Sequence, residues 1–324
     1  MKLKLVSIFI ATLAAACNGN DDSNTTNNTN DLVVSVDPTL FLTNTANVTV
    51  TKVPCTLSDG TVTDCYEIKS TSTPTDHEMG PWCPDNIADD ATKGGIWLEN
   101  GEIYDVDGAF IENMATFYND TKWKMYDANG DIYTTETEDD CANAANPNVG
   151  EEYENFCVEC LPSYLGELTQ TYTIPVTPVK QTTAYSFGGP PGPPGAGEVG
   201  PSQRGVAFNG VVFDAPAPTD AILGAYTLAP FDDAGGHINL NAGYHYHAAT
   251  GVSTQITQED EHAAQIGYAM DGHGLYAQLD ANGNEPTDLD ECRGHTDSVR
   301  GYHYHADAPG SNNFIDCLYG AYVN

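Results

Sequence analysis

The sequence predicts a mainly β protein, made of sandwich or barrel-like antiparallel sheets with short helices and long loops. Short runs rich in β-branched residues, at 33–36, 48–50 and 172–174, are bounded by Asn, Asp, Gly or Pro, which is typical of strands. Helical spacing is weak and limited to residues 111–118 and 260–266, and the sequence shows no long amphipathic helix. The fold is therefore expected to be built mainly from strands.

The first 31 residues are expected to be a leader and a tether. Two lysines precede an apolar run at residues 5–16 that is too short to cross a bilayer, which indicates an export signal. Small residues before Cys17 and polar ones after it resemble a bacterial lipoprotein signal, so residues 1–17 are predicted to be the signal and Cys17 the lipidated residue. Residues 18–31 have almost no apolar side chains and are predicted to be a disordered tether.

These features predict a cell-envelope lipoprotein of the outer membrane or cell surface, attached to the membrane through its lipid anchor only. A secreted product is the alternative. The remaining chain is divided into an N-terminal β-rich region of unassigned role, residues 32–165, and a C-terminal domain, residues 166–324. A Gly- and Pro-rich stretch at residues 188–197 is predicted to be an irregular surface loop, because collagen needs a long and strict triplet repeat.

The net charge excludes one class of partner. The chain has 46 acidic and 11 basic residues, which give a formal charge of −35. Such a surface repels the phosphate backbone, so no nucleic-acid partner is expected. A metal ion or a small molecule is the expected partner instead.

The cysteines indicate disulfide bonds. Nine are present, and removing Cys17 leaves eight, an even number in an exported chain. Two pairs are predicted from their positions: Cys55 with Cys65 across a short turn, and Cys292 with Cys317 near the C-terminus. The other four could instead form a zinc site, made of Cys83, Cys141, Cys157 and Cys160.

A six-residue motif occurs twice in the C-terminal domain. Gly-Tyr-His-Tyr-His-Ala is found at residues 243–248 and again at 301–306. Side chains alternate between the faces of a strand, so both histidines of a motif point one way and both tyrosines the other. Two imidazoles on one face can share a metal ion, and a third from another strand would complete a common ligand set.

The repeated motif therefore predicts a transition-metal site for copper or zinc. Its expected ligands are His245, His247, His303 and His305, with His237 as the candidate extra ligand. The alternative is a structural one, in which the motifs are aromatic ladders with imidazoles facing solvent.

Two further features of the sequence could form parts of a site. Asp271 and His273 lie in a glycine-containing turn between the motifs, where Asp271 could orient an imidazole and His273 could bind metal or move a proton. A partial calcium-loop pattern places oxygen ligands at Asp280, Asn282, Asn284, Asp288 and Glu291 but lacks the glycine at its sixth position. A plain hairpin turn is the better interpretation of that loop.

From about residue 173 onward the chain resembles the bacterial YHYH domain proteins. The matching pieces are residues 174–178, 205–211, 236–237, 243–247, 266–272, 289–292 and 302–305 before Cys317. The resemblance implies the limits of the C-terminal domain and an exported location. It implies no reaction, and His273 stands where the family has an apolar residue, so the resemblance assigns no role to it.

The leading hypothesis is a surface-tethered protein that captures or senses a transition metal through the repeated motifs. The first alternative is a metal-dependent hydrolase or oxidase that uses the same histidines. The second is a metal-free adhesion or carbohydrate-binding module, which the 18 tyrosines and the acidic surface would suit.

Overall fold

The computed structural model describes residues 32–45, 47–144, 149–187 and 200–323. The predicted signal, Cys17, the tether and the loop at 188–197 lie outside these residues.

The described residues form fifteen strands and four α-helices. The strands are β1 (Val48–Thr56), β2 (Val62–Ser70), β3 (Ile96–Glu99), β4 (Glu102–Asp105), β5 (Gln170–Pro175), β6 (Lys180–Ser186), β7 (Gly205–Ala207), β8 (Val212–Phe213), β9 (Gly236–Asn239), β10 (Gly243–Tyr246), β11 (Gln265–Ala269), β12 (Gly274–Tyr276), β13 (Gly294–Asp297), β14 (Gly301–His305) and β15 (Cys317–Gly320). The helices are α1 (Gly108–Phe117), α2 (Glu138–Ala144), α3 (Pro162–Leu165) and α4 (Thr219–Gly224).

The mainly β prediction is confirmed, and one eight-stranded sheet dominates the C-terminal half. Its strand order is β13-β14-β12-β11-β7-β8-β10-β9, and the described strands do not close into a barrel. The pairing is antiparallel except for β8 with β10 and β12 with β14, which run parallel.

The strand order of the eight-stranded sheet has an internal pseudo-two-fold symmetry. Read from either edge, it presents a strand that carries a histidine, then a Tyr-His-Tyr strand, then a two-strand hairpin. The central β7–β11 pair is symmetric, because Gly205 pairs with Ala269 and Ala207 pairs with Gly267 around the Val206–Tyr268 pair. The two halves therefore place their Tyr-His-Tyr-His strands, β10 and β14, toward opposite edges of the sheet.

Three smaller sheets surround this one: β1-β2-β5, β6-β15 and β3-β4. The largest core cluster contains all four motif tyrosines, together with Phe208, Phe213 and Phe314. A second cluster, around Trp97, Leu98 and Phe231, belongs largely to residues 83–132 and contacts the sheet through Phe231. The N-terminal region thus packs onto one half of the C-terminal sheet.

Local predictions are partly confirmed. Residues 48–50 and 172–174 lie in β1 and β5, and the predicted helix at 111–118 is α1, whose first turn is capped by the Asp107 carboxylate. Two predictions are wrong. Residues 33–36 form only an isolated bridge, from Val33 to Gly301. Residues 260–266 are not helical, because their end pairs as β11 in the sheet.

All eight cysteines in the described residues are paired. Cys55–Cys65 and Cys292–Cys317 are the two pairs that the sequence predicts. Cys83–Cys157 and Cys141–Cys160 use the other four, so the alternative cysteine zinc site is wrong. Four disulfides indicate an extracellular or periplasmic protein. Among the described helices, none has the length and hydropathy needed to span a membrane.

Candidate metal centres

The tyrosines of the two motifs are anchored in the core by matching hydrogen bonds. The Tyr244 hydroxyl donates to the Asp232 carboxylate at 2.8 Å, and the Tyr302 hydroxyl donates to Asp290 at 2.9 Å. The second tyrosine of each motif is held from the β7–β8 or β11–β12 turn: Asn209 donates to the Tyr246 hydroxyl, and the Tyr304 hydroxyl donates to Asp271. Buried and satisfied tyrosines fix the strands, so the histidines on the other face are fixed as well.

The first tyrosine ring of each motif, Tyr244 or Tyr302, lies across a glycine of the neighbouring strand, where a larger residue would not fit. A Cβ atom on Gly236 would lie 2.6 Å from the Tyr244 hydroxyl, and one on Gly294 would lie 2.1 Å from the Tyr302 hydroxyl. Any larger residue would push the ring away. The residue after each glycine is a histidine, His237 or His295, which the glycine therefore helps to place.

The histidines gather into two separate clusters. The three-histidine cluster is His237, His245 and His247, and the four-histidine cluster is His262, His295, His303 and His305. Within each cluster the candidate ligand atoms lie within 4.8 Å of one another. The predicted single site, in which both histidine pairs meet, is wrong. Strands β10 and β14 are five strand spacings apart, so the clusters are separated by about 24 Å along the sheet.

The Nδ1 atoms of the motif histidines donate hydrogen bonds to the backbone. His245 bonds the Gly243 carbonyl at 2.9 Å and His247 the Ala215 carbonyl at 2.7 Å. The other half repeats both contacts, from His303 to Gly301 and from His305 to Ala277. A carbonyl can only accept, so each Nδ1 carries the proton and each Nε2 is left with a lone pair.

The histidines outside the motifs are held in the same way in the four-histidine cluster. The Nδ1 of His262 lies 3.0 Å from the Ala263 carbonyl, and that of His295 lies 2.8 Å from the Asp288 carboxylate. Such acceptors behind metal-binding imidazoles set the tautomer and the ring orientation.

The Nε2 atoms converge at the spacing of a coordination shell, and that of His245 also lies 3.3 Å from the Asn239 side-chain amide. The Nε2 atoms of His237 and His247 lie 3.2 Å apart, while that of His303 lies 3.0 Å from His295 and 3.1 Å from His262. A tetrahedral ion with metal–nitrogen bonds of about 2.0–2.1 Å sets its nitrogens about 3.3 Å apart. The buried Nε2 of His305 has no hydrogen-bond partner. In the four-histidine cluster all four Nδ1 atoms have acceptors, so the facing Nε2 lone pairs repel unless a cation lies between them.

Burial keeps these imidazoles neutral. It lowers the pKa of His303 and His305 to about 3, and it drives the pKa of His237 and His247 well below the usual value, with the neighbouring histidines acting in the same direction. The neutral imidazole is the form that binds metal.

The surroundings of the two clusters differ. The three-histidine cluster faces the second core cluster, where the Phe231 ring lies 4.8 Å from that of His237, and it opens into a cavity of about 350 Å³. The four-histidine cluster borders an open hollow of about 360 Å³ lined by acidic and amide side chains. At the edge of this hollow, Arg300 forms ion pairs with Asp260 and Asp297.

Asp271 and His273 are placed on the tyrosine face, away from both clusters. Asp271 is fully buried and accepts hydrogen bonds from Tyr304 and from the Gly320 backbone at 2.6 and 2.7 Å. The His273 Nδ1 lies 3.1 Å from the Asp271 carboxylate. The prediction that Asp271 supports a metal-binding imidazole is therefore wrong, because its carboxylate contacts Tyr304, Gly320 and His273 on the face opposite the clusters. The proton-transfer role stays a prediction.

The partial calcium loop is a turn in the structure. The Asp280 carboxylate accepts the backbone N–H groups of Asn282 and Asn284, both at 2.8 Å. Asp288 bonds His295, and Glu291 accepts from the Tyr319 hydroxyl at 3.3 Å. These oxygens are therefore directed to different partners, and the plain turn is the correct interpretation.

Sequence reasoning missed two ligand candidates and most of the repeat. His262 and His295 were not assigned to the site, although His295 occupies the position of His237 in the other half. The shared pattern is Asp, three residues, Gly-His, five residues, then Gly-Tyr-His-Tyr-His-Ala, starting at Asp232 and at Asp290. That spacing was available in the sequence. His262 has no counterpart in the three-histidine cluster and no sequence signal of its own.

Comparison with known proteins identifies a family to which part of the chain is similar. No curated protein and no solved structure matches the chain. The matched segment, residues 171–288, contains the whole three-histidine cluster and His262 and ends before the second motif. Over these residues, in its C-terminal half, the chain matches the model of the family described as YHYH protein.

Proposed function

We propose that this is an exported protein that binds two transition-metal ions, copper or zinc, one in each histidine cluster. Cys17 carries the lipid that holds the protein to the outer membrane or cell surface, and the membrane is contacted through this anchor only. Its partners are metal ions and a small molecule.

The arrangement of the imidazole nitrogens carries this proposal. In both clusters the Nδ1 protons of the motif histidines are committed to backbone carbonyls, so the Nε2 lone pairs are directed at a common point. In the four-histidine cluster, lone pairs 3.0 and 3.1 Å from one another are costly without a cation, and neutral imidazole is a preferred ligand of both zinc and copper. An aromatic ladder with solvent-facing imidazoles would leave these nitrogens in water, whereas His245, His247, His303 and His305 are all buried.

Metal analysis of the purified protein tests the proposal. The chain is produced in the periplasm with Cys17 replaced, loaded with zinc or copper, dialysed and analysed by inductively coupled plasma mass spectrometry. The parent is expected to retain two ions, and replacement of either motif's two histidines by alanine is expected to leave one. Replacing both pairs leaves none.

Two histidines outside the clusters provide matched controls. His77 packs on the tyrosine face near Tyr244, and His273 does so near Tyr302. His77→Ala and His273→Ala are expected to keep both ions. Retention of metal after loss of both motif pairs, or its absence from the loaded parent, contradicts the proposal.

A further inference from the structure

The cavity beside the three-histidine cluster is mostly apolar. Its walls include Trp82, Val149, Val158, Ala217 and Ile222, and its few polar groups are the three histidines, Thr227, Asn239 and two carboxylates, Glu159 and Asp214. A volume of about 350 Å³ is within the range of small-molecule sites, which combine apolar walls with a few convergent polar groups.

Glu159 is held rigidly in the wall of this cavity. It stands between Cys157 and Cys160, whose disulfides tie it to Cys83 and Cys141. Its backbone N–H donates to the Thr135 hydroxyl at 3.0 Å, and one carboxylate oxygen accepts the Cys83 N–H at 3.3 Å. Burial raises its pKa to about 7, which suits a group that accepts and releases a proton near neutral pH.

The number of histidines separates the two clusters chemically. Four imidazoles complete a tetrahedral shell, as in closed structural sites, whereas three leave one position for another ligand. Only the three-histidine cluster, of these two, opens into the apolar cavity. The open coordination position and the cavity therefore occur at the same cluster.

We infer that the three-histidine cluster is an open metal centre, whose cavity binds a ligand with an oxygen donor on a short apolar group and whose Glu159 takes up the ligand's proton. This rests on the proposed metal binding. Asp214 is the less suitable acceptor, because its carboxylate accepts the Ala215 N–H at 2.8 Å, a shorter hydrogen bond than the 3.3 Å one from the Cys83 N–H to Glu159.

The proton balance of this binding step is simple. A neutral O–H ligand enters, its O–H bond breaks, and the oxygen keeps the electron pair with which it coordinates the ion. The proton passes to the Glu159 carboxylate, so the protein as a whole releases none. The N-terminal region, which supplies Glu159 and part of the walls, thereby completes a site whose imidazoles come from the C-terminal domain.

Hydroxamic acids are suitable probes, because they are neutral O–H acids that bind metals through oxygen. Binding of the two-, four- and six-carbon acids to the zinc-loaded chain is measured calorimetrically at pH 8, in two buffers of different ionisation enthalpy. His262→Ala/His295→Ala confines metal to the three-histidine cluster. Affinity is expected to rise about fourfold per added methylene as the chain fills the apolar cavity. This double variant, the parent for the comparison that follows, is expected to release almost no proton to the buffer.

Glu159→Gln is expected to retain its metal but to release about one proton per ligand bound. Glu151→Gln, which changes an exposed carboxylate eight residues before Glu159, should behave as the parent. The role of Glu159 is overturned if Glu159→Gln and the parent release equal numbers of protons, or if Asp214→Asn changes the proton release and Glu159→Gln does not. Metal retention without hydroxamate binding overturns the open centre while the proposed function stands. Failure to bind metal defeats the proposed function itself.

Discussion

Removal of the Asp288 carboxylate is expected to weaken metal binding at the four-histidine cluster alone. Asp288 is the only carboxylate that accepts from an Nδ1 atom of either cluster among the described residues, at 2.8 Å from His295. Its hydrogen bond with His295 also lowers the pKa of Asp288. In Asp288→Ala the imidazole loses the acceptor that fixes its tautomer and raises the electron density on Nε2.

The size of this effect follows from exposure. Loss of an acceptor behind a metal-binding histidine costs 10- to 100-fold in metal affinity, or about 1.4–2.7 kcal/mol. The Asp288 side chain is 70% exposed, so water screens its charge and partly replaces it. We therefore expect the lower end, a loss of about tenfold.

The affinity is measured by competition with a chromophoric chelator in a His237→Ala background, which silences the three-histidine cluster. Glu291→Ala is the matched control, since it truncates a neighbouring exposed carboxylate that bonds Tyr319. An affinity within twofold of the background protein for Asp288→Ala, or an equal loss for Glu291→Ala, would refute the reasoning.

Three further outcomes are expected. Tyr304→Phe removes a hydrogen bond from the fully buried Asp271, so urea denaturation should show a loss of about 1–3 kcal/mol in the free energy of unfolding. Gly294→Ala forces the Tyr302 ring to move and should cost about 1–3 kcal/mol by the same assay, whereas Gly224→Ala, where a Cβ meets nothing within 4 Å, should not be destabilising. Burial lowers the pKa of the second motif's histidines, His303 and His305, to about 3, so below pH 6.5 the unfolded chain binds more protons than the folded chain. The stability of the metal-free protein should therefore fall as the pH drops from 6.5 toward 3. A stability that does not change with pH in thermal denaturation would contradict this.

Local chemistry could be predicted from the sequence because it depends on near neighbours. Alternation along a strand is enough to put Tyr244 and Tyr246 on the face opposite His245 and His247, and the structure has this arrangement, with the tyrosines in the core. The short turn between Cys55 and Cys65 likewise makes their pairing predictable, since the two strands must be adjacent.

Strand order could not be predicted, and it decides how many sites exist. Two identical motifs fit one shared site as well as two separate ones, and only the symmetric β7–β11 pairing places them at opposite edges. The same limit explains why His262 was missed. It lies in an irregular segment with weak helical spacing, and only the fold of that segment brings it within 3.1 Å of His303. Likewise, no sequence pattern links Glu159 to histidines that lie 78 to 88 residues further along the chain.

Anomalous diffraction from crystals of the zinc-loaded protein, recorded on both sides of the zinc absorption edge, tests the two-site account most directly. The account predicts two anomalous peaks per chain, about 24 Å apart, one among the Nε2 atoms of His237, His245 and His247 and the other among those of His262, His295, His303 and His305. A single peak shared by both motifs, or peaks only at surface carboxylates, would contradict it.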